Sequence, residues 1–87
     1  MTREEAIEII LEEKLSNYNL NEDRENNEDE VVIKSRDNMW AIYATDERAS
    51  KVPGSEKIFE NEETAWDNLI KRLRAGKRLR NSYADTN

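Results

Sequence analysis

Ala6, Ile7, Ile10, Leu11, Leu15 and Tyr18 recur at spacings of three and four residues, which predicts an amphipathic helix from about Arg3 to Ser16. Thr2 followed by Glu5 is a capping-box pattern at its start. Glu5, Glu8 and Glu12 lie off the apolar stripe and give the helix an acidic flank, and Ile9 also falls outside it. From Val31 the period changes to two. Val31 to Arg36 and Met39 to Thr45 are β-rich runs around Asp37-Asn38, a dipeptide suited to the positive φ angles of a two-residue hairpin turn.

With Asp37 and Asn38 as the loop, Arg36 pairs with Met39 and Ile33 with Ile42. Val31, Ile33, Trp40, Ile42 and Ala44 then share a core face. The opposite face carries Val32, Lys34, Arg36, Met39, Ala41 and Tyr43, half apolar and half basic. Pro53-Gly54 marks a loop, Lys57 to Phe59 is long enough for a short third strand, and Asn61 is a good N-cap for a second helix. Ala65, Trp66, Leu69, Ile70 and Leu73 form the stripe of that helix, whose core-packed part is expected to stop near Gly76. The expectation is an α+β fold with a three-stranded antiparallel sheet and both helices on one face. It forms one domain over residues 1–79, with an acidic loop at 19–30 and a frayed tail at 80–87.

Charge changes this picture. Of 20 acidic and 14 basic side chains, residues 1–30 hold 11 acids and 3 bases, whereas residues 61–87 hold 4 acids and 6 bases. Glu22, Asp23, Glu25, Glu28, Asp29 and Glu30 surround a single base, Arg24, and are interleaved with asparagines. A segment without apolar side chains cannot repay its own ordering by burial, so composition reads it as a partly disordered loop. The same acids are the candidate surface for steering and holding a basic partner. Met39 and Tyr43, on the open sheet face, are the candidate apolar contacts. The bases from Lys71 to Arg80 have no interleaved aromatic residue and suit the last turns of a helix, so nucleic acid is not the expected partner.

Cysteine and histidine are absent, which excludes disulfides, Cys/His zinc sites, thiol nucleophiles and imidazole bases. Asp46 and Glu47, with Glu60, Glu62 and Glu63 nearby in sequence, match no metal-loop spacing, and no glycine-rich phosphate loop is present. The sequence therefore predicts a non-enzymatic protein without metal or cofactor. The longest apolar run near the amino terminus, Ile9 to Leu11, is far too short for a membrane span or a signal-peptide core, so the expected location is the cytoplasm.

The run from Trp40 to Arg48, ending Asp46-Glu47-Arg48, then Gly54, Lys57 to Glu60, and Glu63 to Trp66 with Leu69, Ile70 and Leu73, resembles small immunity proteins of bacterial polymorphic-toxin systems. The resemblance covers roughly Asp37 to Leu73. It implies a cytoplasmic inhibitor that binds a cognate toxin domain, frequently a nuclease; the chain itself is expected to be monomeric or weakly dimeric. Glu22, Asp23, Glu25, Glu28, Asp29, Glu30, Asp46 and Glu47 would then meet the toxin's basic surface. Two other readings stay open: a phage or mobile-element inhibitor that mimics the charge of DNA, and an accessory domain touching RNA through its basic second helix.

Overall fold

The computed structural model describes residues 1–85 and contains α1 (Arg3–Glu13), β1 (Tyr18–Leu20), β2 (Val31–Arg36), β3 (Met39–Ala44), β4 (Lys57–Phe59) and α2 (Glu62–Asp85). The class is α+β, as expected, but the sheet has four strands in the order β1-β2-β3-β4. It is mixed, because β1 runs parallel to β2 while the other pairs are antiparallel. The expected three-stranded antiparallel sheet is thus its β2-β3-β4 part, and β1 is the addition. The hairpin has the register that the sequence predicts, Arg36 opposite Met39 through Val31 opposite Ala44. Asp37 and Asn38 make its turn at φ 50° and 65°, angles that short polar side chains tolerate.

One sheet face carries Ile33 and Ile42 into a core completed by Ala6 and Ile10 of α1, Leu15, and Ala65, Trp66, Leu69, Ile70 and Leu73 of α2. The two helices run side by side in the same direction. Arg3 bonds Glu62 at their first turns, and Arg74 bonds Glu13 near the end of α1. The rotation of α1 about its axis differs from the sequence stripe. Ile9 packs against the core, whereas Ile7 and Leu11 face solvent. Thr2 closes the predicted capping box, and α1 stops at Glu13 because Lys14 turns into the left-handed region at φ 54°.

Asn61 caps α2 through its Oδ1, which accepts from the Thr64 N–H at 3.2 Å. The helix does not stop at Gly76. Among the side chains described, its last buried one is Leu73, yet the backbone stays helical to Asp85 where the sequence predicts a frayed tail from residue 80; residues 86 and 87 of that tail lie outside the described ones. Twenty-four helical residues span about 36 Å, against about 20 Å for a six-residue strand, so α2 overhangs the sheet. No helix among the described residues is long and apolar enough to cross a membrane.

Gly76 therefore occupies a helix interior, where glycine gives up more freedom on folding than alanine. A Cβ there would meet only the Arg80 Nη1 atom at 3.4 Å, an ordinary contact with the end of a flexible side chain. Gly76→Ala should stabilise the protein by about 0.5 to 1 kcal/mol, read as an increased midpoint in urea unfolding at unchanged slope. A lowered midpoint would contradict a helical backbone at Gly76.

Candidate functional site

Because β1 and β2 are parallel, the chain must return across a sheet face between them, and α1 and α2 occupy one face. Residues 21–30 make this return across the other face. They bond to its side chains: the Glu22 N–H donates to Asn19 Oδ1 at 2.7 Å, the Lys34 ammonium bonds the Glu22 carbonyl, and Asn26 Nδ2 donates to the Tyr43 hydroxyl at 3.1 Å. Asn19 and Val32, on this nominally open face, are fully buried as a result.

A segment with no apolar side chain is held by a polar cage centred on Arg24. Its guanidinium makes five hydrogen bonds: Nη2 to Glu30 Oε2 at 3.0 Å, Nη1 to Glu30 Oε1 at 3.1 Å, Nη2 to the Tyr18 carbonyl at 3.1 Å, Nη1 to the Glu25 carbonyl at 2.9 Å, and Nε to Glu22 Oε2 at 2.8 Å. The forked geometry suits the carboxylate. The Glu30 side chain is only 2% exposed and also accepts from the Asn27 N–H at 2.8 Å, while its own N–H donates to Thr45 Oγ1. Burial pushes the Glu30 carboxyl up, but the bonds from Arg24 and Asn27 outweigh it and hold the group below the ordinary glutamate value. Asparagines shape the ends of the crossing. Asn17 and Asn21 adopt positive φ, and Asn21 Oδ1 accepts from the Ser35 N–H at 3.1 Å.

The site residues expected from the sequence divide accordingly. Glu22, Asp23, Glu25, Glu28 and Asp29 are exposed on the crossing segment, which is folded rather than a free loop. Glu30 differs from them: it is buried, and its carboxylate is the counter-ion of Arg24. The Asp29 N–H donates to the Asp46 carbonyl at 3.0 Å, which joins the far end of the acidic segment to the loop after β3. Glu47 is exposed there, but Asp46 is half-buried and spends Oδ1 on the N–H groups of Arg48 and Ser50, at 2.8 and 3.0 Å. Tyr43 is likewise engaged: its hydroxyl bonds Asn26 and the Lys51 ammonium lies 4.7 Å from its ring centroid.

Met39 keeps a place on the uncovered half of the sheet. It lines a shallow groove of about 220 Å³ with Arg36, Asp37, Ala41, Glu56 and Ile58. Ile58, 51% exposed on β4, was not singled out by its sequence, although alternation along Lys57-Ile58-Phe59 sets it on the face of Met39. Arg24 has a signal in the sequence as well, for it is the one base among six acids.

The basic helix is partly consumed by structure. Arg74 Nε bonds Glu13 Oε1 at 3.0 Å, Lys77 bonds the Glu13 carbonyl at the end of α1, and Arg80 reaches Ser16. Among the described residues no group of three or more carboxylates could hold a metal ion. The arrangement presents a fixed acidic strip on one side of the sheet with a small apolar patch beside it, a surface suited to binding a basic protein. Compared with protein-family models, with curated proteins and with solved structures, the chain matches none of them.

Proposed function

We propose that the protein is a cytoplasmic binding protein that neutralises a basic protein partner, as an immunity protein neutralises its toxin. The observation that carries this reading is the folded acidic strip. Five exposed carboxylates, Glu22, Asp23, Glu25, Glu28 and Asp29, are held in fixed relation by the Arg24–Glu30 pair instead of being dispersed on a mobile chain. Preorganised charge steers a basic surface into register and opposes phosphate and anionic lipid. Met39 and Ile58 supply the adjoining apolar contacts, while Tyr43, already bonded to Asn26, contributes less.

The test begins with capture of partners from the native host at low and high salt, followed by kinetics with the purified partner. Asp23, Glu25 and Glu28 should be changed to Lys, leaving Glu22 and Glu30 to hold Arg24. The triple variant should fold normally, associate about tenfold more slowly or worse, and lose most of its salt dependence, with little change in dissociation. An unchanged association rate and salt slope would remove the strip from the recognition surface. The ordering of the strip also favours a second reading, an inhibitor that mimics DNA charge. Duplex DNA competing with this protein for the partner would support that reading over a partner that binds no DNA.

A further inference from the structure

The outward face of α1 combines an exposed apolar pair with a row of carboxylates. With Ala6 and Ile10 buried, Ile9 packed on the core and Glu13 bonded to Arg74, a turn of 100° per residue sets Glu4, Ile7, Glu8, Leu11 and Glu12 on the opposite side. Ile7 is 39% exposed and Leu11 71%, one turn apart and adjacent on the surface. A lone exposed leucine needs no explanation, but these are two of the four large apolar side chains exposed among the described residues. Beside them Glu4, Glu8 and Glu12 form a row at successive i, i+4 positions, exposed and in no salt bridge among the described residues. Like charges at that spacing repel and weaken the helix. Exposed apolar surface and unrelieved repulsion on one face are a local conflict with stability, of the kind that a binding surface explains.

We infer that this face docks an amphipathic basic helix of a partner protein: apolar residues three or four apart set against Ile7 and Leu11, with a flanking row of Lys or Arg against Glu4, Glu8 and Glu12. Charge complementarity selects this occupant. Anionic lipid and nucleic acid are repelled by the acid row. A second copy packed antiparallel about a two-fold axis would face its own acid row across the contact. The surface lies on the helix side of the sheet, away from the acidic strip, so the inference goes beyond the proposed function and stands or falls separately from it.

The probe is a fluorescently labelled synthetic helical peptide with leucines at i, i+4 and a flanking row of lysines, titrated into the full chain. Anisotropy gives affinity and amide chemical shifts give location. Binding should perturb residues 4–12, and Leu11→Ala and Glu8→Lys should each weaken it about tenfold or more. A peptide with its lysines replaced by glutamates should not bind. Both changes are at exposed positions, so the variants should melt within a few degrees of the parent, about the range of ordinary surface substitutions. Absence of binding would overturn the inference, as would perturbations confined to residues 22–29 with undiminished affinity for the Leu11→Ala protein. It would fall equally if the free protein doubled in mass with concentration and Leu11→Ala alone abolished the doubling, for the face would then serve a second copy.

Discussion

Trp66→Ala should remove about 3 to 5 kcal/mol from the stability of the fold, the range for truncating a large aromatic side chain in a packed core. Trp66 is 1% exposed at the start of α2, its ring centroid lies 6.2 Å from that of Trp40, and its Nε1–H donates to Glu62 Oε2 at 2.9 Å. The Arg3 guanidinium carbon stands 5.8 Å from each indole centroid, so the substitution also loosens the junction of α1, α2 and β3. A domain of this length is stabilised by only about 5 to 10 kcal/mol, and the loss should leave it marginal at 37 °C. The two tryptophans are not equivalent. Trp40 is half-buried, and Trp40→Ala should cost less than Trp66→Ala. Urea unfolding followed by circular dichroism checks both, and a Trp66→Ala midpoint close to the parent's would refute the placement of that ring.

Arg24→Ala should have an effect of similar size by a different route. It strands Glu30 as a buried carboxylate without its counter-ion, and breaking a buried pair from one side costs about 3 to 5 kcal/mol. Arg24→Lys should recover little, because an ammonium cannot reproduce the five-bond fork. The pair also sets an acid limit. The Glu30 carboxyl titrates below its ordinary value in the folded protein, so its contribution is present above the ordinary glutamate pKa and is lost as pH falls through the folded value. Unfolding measured from pH 7 downward should show stability declining in that acid window, with a shallower decline in Arg24→Ala. Equal slopes would argue against the cage.

The hairpin could be read to the residue from Asp37-Asn38 and the two-residue period, because register there is a local property. The N-cap of α2 and its stripe were equally local. What escaped depends on contacts between distant residues. The helix α1 carries enough apolar residues for two overlapping stripes, and its packing against α2, some sixty residues away, sets Ile9 inward and Leu11 outward. Strand β1 has three residues between left-handed Asn17 and Asn21, too few for a periodic signal. The order of the acidic segment is invisible to composition, which counts apolar burial and cannot count a fully bonded guanidinium.

Amide hydrogen exchange separates a fixed surface at residues 21–30 from a free loop. The N–H groups of Glu22, Asn27, Asp29 and Glu30 are bonded to Asn19 Oδ1, Glu30 Oε1, the Asp46 carbonyl and Thr45 Oγ1. In the free protein these four amides should exchange well below unstructured-chain rates, and Arg24→Ala should release those of Glu22 and Asn27 first. Exchange of all four at unstructured-chain rates while the β2–β3 hairpin stays protected would show residues 21–30 to be a free loop.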